Sequence, residues 1–120
     1  MPQAVVVWPQ GPRGGLPSQV GEVNYAIEVT EDAFLDLKTL LPHEQAIILA
    51  GIERQLPWEP TTETRNRKPL RPNELSDWEV RIVKYRVFYD VSAEAKIVTV
   101  KAIGRKGRNT LLIRGKEFSL

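Results

Sequence analysis

The sequence predicts an α+β fold, in which an N-terminal strand and an antiparallel helical hairpin precede a twisted antiparallel sheet of three or four strands. Three observations support this prediction. Apolar residues recur at helical spacing over residues 31–56, and apolar and polar residues alternate over 78–91 and again over 96–103. Because alternating runs separated by short turns form antiparallel pairs, the second half of the chain is expected to form the sheet.

The first strand and the two helices are predicted from residues 23–56. Alternation over 23–29 gives the strand, and Thr30 follows it as a helix N-cap. Pro42 ends the first helix and opens the second, and Pro57 ends the second. The apolar stripes expected to face the core are Phe34, Leu37, Leu40 and Leu41 in the first helix and Ile48, Leu49, Ile52 and Leu56 in the second.

The alternating run at 78–91 predicts a hairpin that turns at Val83 and Lys84. One face of this hairpin is wholly apolar, and the other sets Arg81 opposite Arg86. Like charges directly opposite each other destabilise a sheet by up to about 1 kcal/mol, so the two arginines are expected to bind an anion. The predicted pairs are Ile82 with Tyr85, Arg81 with Arg86, Val80 with Val87, Glu79 with Phe88, and Trp78 with Tyr89.

A third strand over residues 96–103 is predicted to follow a four-residue turn. This turn sets Arg86 opposite Lys101, so Arg81, Arg86 and Lys101 would line up across three strands. Phe88 is expected on the same face, where it could stack on a base or contact a protein partner.

The net charge of +2 conceals an asymmetry, because residues 1–60 carry a balance of −5 and residues 61–120 a balance of +7. This split predicts an electropositive surface that faces a polyanion such as nucleic acid or an acidic protein. A solvated basic face is the alternative. The basic residues expected on this surface are Arg65, Arg67, Lys68, Arg71, Lys84, Lys101, Arg105 and Arg108.

Other features exclude several kinds of chemistry. The chain has no cysteine, and its one histidine, His43, falls in the predicted helix–helix turn, so neither a disulfide nor a metal site is expected. Gly104 and Gly107 match neither a P-loop nor a dinucleotide fingerprint, and no cofactor is expected. The apolar run at 4–8 is too short to span a membrane, which predicts a soluble cytoplasmic protein. Residues 1–21 are rich in proline and glycine and predict an irregular or mobile arm before a domain over 22–120.

Several motifs stand out, namely Tyr25-x-Ile-x-x-Thr30, Lys68-Pro-Leu70, residues 78–91, Ala102-Ile-Gly104 with the basic residues after it, and Gly115-Lys-Glu117. Together they resemble the RelE/ParE superfamily of toxins from bacterial type II toxin–antitoxin systems. The resemblance spans residues 24–117, and the N-terminal arm lies outside it. The resemblance implies a cognate antitoxin as partner and either RelE-like cleavage of mRNA on the ribosome or ParE-like inhibition of DNA gyrase.

In a RelE-like endoribonuclease, the resemblance implies that Arg86, Arg81 and Lys106 contact the phosphate and stabilise its developing charge. The basic surface residues named above would then bind RNA. The C-terminal tyrosine or histidine that many of these nucleases use as acid or base is absent, because Leu112 stands in its place. Two alternatives therefore stay open, a gyrase-directed toxin and a basic binding module without catalysis. Acids that could replace the missing base are Glu79, Glu63 and Glu117, although Glu79 is expected instead to pair with Arg81.

Overall fold

The computed structural model of the protein describes residues 5–7, 25–107, 111–113 and 116–118. Within these ranges the chain forms two helices and eight strands, and neither helix is long and apolar enough to cross a membrane. The elements are β1 (Val5–Val7), β2 (Ala26–Thr30), α1 (Glu31–Lys38), α2 (Pro42–Gln55), β3 (Arg67–Pro69), β4 (Trp78–Ile82), β5 (Tyr85–Ser92), β6 (Ile97–Lys106), β7 (Leu111–Ile113) and β8 (Lys116–Phe118).

The strands form one sheet in the order β1-β2-β6-β5-β4-β3, and β7 continues from β6 to β8. The predicted α+β class is confirmed. The sheet is larger than the predicted three or four strands. On one side β2 adds to it in parallel with β6, and β1 pairs antiparallel with β2. Strand β3 adds to β4 at the other edge, and β7 and β8 extend it from the end of β6. Strand β6 is thus the central strand of the fold.

Strand β1 lies inside the segment predicted as an irregular or mobile arm. Residues Val5–Val7 pair with Glu28–Thr30 of β2. The remainder of the predicted arm, residues 1–4 and 8–21, lies outside the described residues.

Helix α1 begins as predicted at Thr30, whose hydroxyl accepts a hydrogen bond from the Ala33 N–H at 3.1 Å. The expected apolar stripe is only partly buried. Leu37 faces the core, whereas Phe34 and Leu41 are exposed. The helix instead buries Ala33 and Asp36, because its inner face lies against β6 and the Asp36 carboxylate accepts a hydrogen bond from that strand.

Helix α2 begins at the predicted proline and buries Ile48 and Ile52, as expected. Glu44 uses one carboxylate oxygen to cap its own helix and the other to join the helix to the sheet. One accepts from the Leu41 N–H at 3.0 Å, and the other accepts from the Tyr85 hydroxyl at 2.6 Å. Burial of the ring and this hydrogen bond raise the pKa of Tyr85 to about 12, so the phenol stays protonated at neutral pH.

The β4–β5 hairpin has the predicted register at all five pairs, including Arg81 opposite Arg86. Its turn at Val83 carries a cost, since this residue adopts φ 59°. That left-handed conformation is unfavourable for a β-branched side chain.

The predicted register of β5 with β6 is wrong. Arg86 pairs with Gly104 rather than with Lys101. Phe88 pairs with Ala102 and Tyr89 with Val100, so Lys101 is an extra residue in a β-bulge between them. The predicted row of Arg81, Arg86 and Lys101 therefore does not form. The register already differs from the predicted one by two residues at the turn, where Ser92 pairs with Ile97, and the bulge adds a third.

Two side chains from the first half of the domain support the bulge, one from the end of β2 and one from α1. The Thr30 hydroxyl donates to the Lys101 carbonyl at 3.4 Å, and the Asp36 carboxylate accepts from the Ile103 N–H at 3.0 Å. Beyond the end of its pairing with β2, β6 has backbone groups without a strand partner on that side. These two bonds satisfy them, because buried backbone N–H and C=O groups need hydrogen-bond partners.

The sheet has a core on each face. Beneath the helices, the large core includes Val80, Val87 and Tyr89. On the opposite face, a small core forms where β7 lies beside β6. Phe88 is fully buried in this small core, so the expectation that it is open to a base or a partner is wrong. The small core comprises Phe88, Ala102, Leu111 and Ile113, with Leu70 and Leu75 packed against it.

We expect Val83→Gly to stabilise the protein. Glycine removes the cost of the left-handed conformation, about 1–2 kcal/mol. The greater entropy of glycine in the unfolded chain offsets this by about 0.5–1 kcal/mol, which leaves a net stabilisation of about 0.5–1 kcal/mol. Val83 is 70% exposed, so little packing is lost. Thermal and urea unfolding measure the change. Lys84→Gly, at the neighbouring turn residue, is the control and should not stabilise. An unchanged or lower midpoint for Val83→Gly would contradict the strain argument.

We expect Gly104→Ala to destabilise the protein by about 1–3 kcal/mol, the usual cost of overpacking a core. An added methyl would lie 2.6 Å from Ile113 Cγ1 and 2.8 Å from the Leu112 carbonyl oxygen. In a double-mutant cycle, Ile113→Ala should recover part of the lost stability, because it removes one of the two clashes. The recovery should be incomplete, because the clash with the Leu112 carbonyl remains. Strictly additive effects would show that β7 does not lie over Gly104.

Candidate functional site

Alternation along the β4–β5 hairpin separates its apolar and charged residues as predicted. Val80 and Val87 are fully buried beneath the helices, while Arg81 is exposed on the opposite face. We call this opposite face, which carries Glu79, Arg81 and Arg86, the arginine face. Arg81 and Arg86 are direct cross-strand partners there.

Arg86 is the more enclosed of the two arginines, since only 12% of its side chain is exposed. Its Nε lies 3.5 Å from Glu79 Oε2, and Nη1 donates to the Tyr85 carbonyl at 3.3 Å. Glu79, whose side chain is 13% exposed, therefore pairs with Arg86. The prediction that it pairs with Arg81 is wrong. The reason is geometric, because Glu79 and Arg86 are diagonal neighbours on one face, while Glu79 and Arg81 are two residues apart in the same strand.

The electrostatics of Arg86 are consistent with a site for an anion. Burial is the main cause that lowers the pKa of Arg86, Glu79 opposes this effect, and the charge of Arg81 lowers the pKa further. The guanidinium stays charged at neutral pH because the ordinary pKa of arginine is very high. A bound anion would relieve both the burial penalty and the repulsion from Arg81.

Strand β3 divides two neighbouring basic residues between the faces of the sheet. Lys68 pairs with Glu79 and is exposed on the arginine face. Arg67 pairs with Val80 on the opposite side, where it is buried. Its Nε donates to the Thr62 carbonyl at 3.1 Å and its Nη1 to the Gln55 carbonyl at 3.0 Å. Arg67 thus joins the loop to the end of α2, and this contact leaves it out of the exposed basic surface.

The end of β6 brings Lys106 to the arginine face. Gly104 lies opposite Arg86, and Lys106 follows two residues later on the same side of the strand. Arg105, between them, pairs with Tyr85 on the helix-covered side. Leu112 pairs with Arg105 and is 38% exposed.

The other predicted surface residues are spread over the molecule. Lys101 lies in the bulge, with Nζ 3.8 Å from Asp90 Oδ2. Lys84 lies over the Tyr85 ring, with its Nζ 5.7 Å from the ring centroid. Exposed positions are also found for Arg65, Arg71, Arg105 and His43, and Arg108 lies outside the described residues.

Sequence reasoning identified the arginine pair but missed the partner of Arg86 and the position of Gly104. The first could have been found, because the diagonal relation of Glu79 to Arg86 follows from the hairpin register alone. The second depends on the register set at the β5–β6 turn and on the bulge, which no local pattern in residues 97–106 indicates.

Comparison with known proteins finds a similarity among the solved structures. No protein-family model matches the chain, and no curated protein matches it. Among solved structures, the RelBE2 toxin–antitoxin complex of Mycobacterium tuberculosis contains a chain that is 27% identical, with a TM-score of 0.62. The match covers 72% of this chain and 95% of that one.

The fold, the arginine pair and this similarity define a toxin of the toxin–antitoxin class. This similarity confirms the resemblance to the RelE/ParE superfamily of toxins found in the sequence.

We expect substitutions at Arg67 and Lys68 to have opposite consequences. Arg67→Ala should destabilise the protein by about 2–3 kcal/mol, because two carbonyls lose a charged donor. Lys68→Ala should change stability by less than about 0.5 kcal/mol, as exposed substitutions usually do. Urea unfolding measures both. Equal effects from the two variants would contradict the placement of these side chains on opposite faces.

Proposed function

We propose that this protein is the toxin of a type II toxin–antitoxin pair and that it acts as a RelE-like endoribonuclease on mRNA at the ribosome. The observation that carries the proposal is the cross-strand pair of Arg81 and Arg86. Arg81 and Arg86 repel each other across the strand pair, and Arg86 is largely buried. An anion bound between them would offset both the repulsion and the cost of burying the charge.

The proposed chemistry is attack of a ribose 2′-hydroxyl on the neighbouring phosphate. Arg86 and Arg81 contact the phosphate oxygens, and Lys106 adds a third cation from the end of β6. Fixed cations stabilise the charge that develops on these oxygens without reorganising during the reaction. The contacts of Arg86 with Glu79 and with the Tyr85 carbonyl hold it in position before substrate binds.

The RNA outside the scissile phosphate would contact the exposed basic residues. Lys68 is the best placed of them, because it lies on the arginine face beside Glu79. Arg67 is left out, since its guanidinium is buried and bonded to two carbonyls. The remaining candidates are Arg65, Arg71, Lys84, Lys101, Arg105 and Arg108.

The proposed partner in the cell is a cognate antitoxin. The similar solved structure is a toxin–antitoxin complex, and the basic half of this chain carries a balance of +7. An antitoxin that covers the arginine face would neutralise this charge and block the route of the phosphate to Arg86.

A toxin that inhibits DNA gyrase is the second candidate. It is favoured by one observation, which is that Leu112 stands on β7 where many RelE-like nucleases carry an acid or base. A leucine side chain cannot transfer a proton. A gyrase inhibitor that works by binding needs no such group, and the same basic surface could contact its target.

We expect Arg86→Ala and Arg86→Lys both to abolish growth inhibition. Removing a donor that stabilises the transition state costs about 100- to 1,000-fold in rate, and lysine cannot reproduce the planar donor set of arginine. The lysine variant keeps a charge for Glu79 and should retain the fold, whereas alanine leaves that carboxylate unpaired and should cost about 1–3 kcal/mol. The measurements are growth after induction, transcript cleavage on translating ribosomes, and thermal unfolding.

The controls separate the two candidate functions. Lys96→Ala, in the β5–β6 turn and away from the arginine face, should keep full toxicity. Cleavage that is lost in Arg86→Lys supports the nuclease. Uncut transcripts together with inhibited supercoiling would replace it with the gyrase-directed toxin, and inactivity of the wild type in both assays would leave a binding module.

A further inference from the structure

Glu79 is in a position to supply what the C-terminal strand lacks. Its carboxylate lies 3.5 Å from the Nε of Arg86 on the arginine face, and 13% of its side chain is exposed. A carboxylate can accept about four hydrogen bonds, so this one contact leaves lone pairs available to a substrate hydroxyl. A hydroxyl beside a phosphate bound to Arg86 would therefore lie within reach of Glu79.

We propose that Glu79 is the general base of the cleavage reaction, an inference that rests on the nuclease function proposed above. Glu79 takes the proton of the ribose 2′-hydroxyl as the 2′-oxygen forms a bond to phosphorus. The bond from phosphorus to the 5′-oxygen breaks, and that oxygen takes a proton from water. The products are a 2′,3′-cyclic phosphate and a 5′-hydroxyl, and Glu79 returns its proton to solvent.

The surroundings of Glu79 favour this role over that of an ion-pair partner alone. It is flanked by Lys68 from β3, Arg81 from β4, Arg86 from β5 and, further along the face, Lys106 from β6. Cations on these strands surround the carboxylate on the arginine face. They also attract the phosphate that brings the hydroxyl to it.

The two other acidic candidates lack this arrangement. Glu63 lies in an exposed loop before β3, and Glu117 is exposed on β8, where it pairs with Leu112. The strand pairings bring neither of them next to Arg86. Both therefore serve as matched controls that remove one carboxylate elsewhere in the chain.

The test compares Glu79→Gln with Glu63→Gln and Glu117→Gln in the full-length chain. The readout is the single-turnover rate of transcript cleavage on translating ribosomes, at saturating protein and over a range of pH. Glu79→Gln should lower the rate by about 100-fold or more, the usual contribution of a general base. It should also remove the loss of rate that the wild type shows as carboxylates protonate at low pH. Ribosome binding and the rates of the two controls should stay within a factor of three of the wild type, roughly the scatter of neutral changes.

Glu79→Asp is the control for misfolding of Glu79→Gln. It keeps a carboxylate at the position, so it should retain measurable cleavage and a rate that falls at low pH. A Glu79→Gln protein that cleaves at the wild-type rate, with the same pH dependence, would overturn the inference while leaving the nuclease proposal intact. So would an equal loss in Glu117→Gln or Glu63→Gln. A wild-type protein that cuts no transcript would overturn both proposals.

Discussion

The β-bulge at Lys101 is the constraint on which the rest of this structure depends. Before the bulge, β6 pairs with β5 in a register that places Val98 and Val100 beneath the helices. After it, the register shifts by one residue, so that Gly104 lies beside Arg86 and β7 can pack over Ala102 and Gly104. The small core and the surroundings of the arginine face both follow from this extra residue. The bulge in turn requires Thr30 and Asp36, whose side chains satisfy the β6 backbone where β2 has ended.

The central charge of the site is partly buried, and the structure compensates for this in two ways. Glu79 offsets the burial of Arg86, and the Tyr85 carbonyl accepts from its guanidinium. Arg81 opposes this stabilisation from the facing strand. The outcome is a positioned guanidinium beside a carboxylate. In the nuclease that we propose, this combination would hold the phosphate and accept the proton without a C-terminal tyrosine or histidine.

Basic residues in this chain have different roles that depend on the face of the sheet they occupy. Arg67 and Lys68 are adjacent in sequence, yet one supports a loop beneath the sheet and the other is exposed on the arginine face. Because side chains alternate along a strand, a cluster of basic residues in the sequence does not form one continuous surface. Part of the positive charge in the second half of the chain therefore supports the fold and is not available to a partner.

The sequence by itself determined the class of fold, the start of both helices and the full register of the β4–β5 hairpin. These features rest on local signals, since the Thr30 cap, Pro42 and a two-residue turn act within a few positions of the residues they order. The pairing of Arg81 with Arg86 follows from the same local turn. Tertiary structure alone decided the bulge, the burial of Phe88 and the position of Lys101 in the bulge. Each depends on a distant group, as the bond from Ile103 to Asp36, 67 residues earlier, illustrates. No pattern within a single strand reports where such a partner will lie, because it is brought there by the packing of α1 against β6.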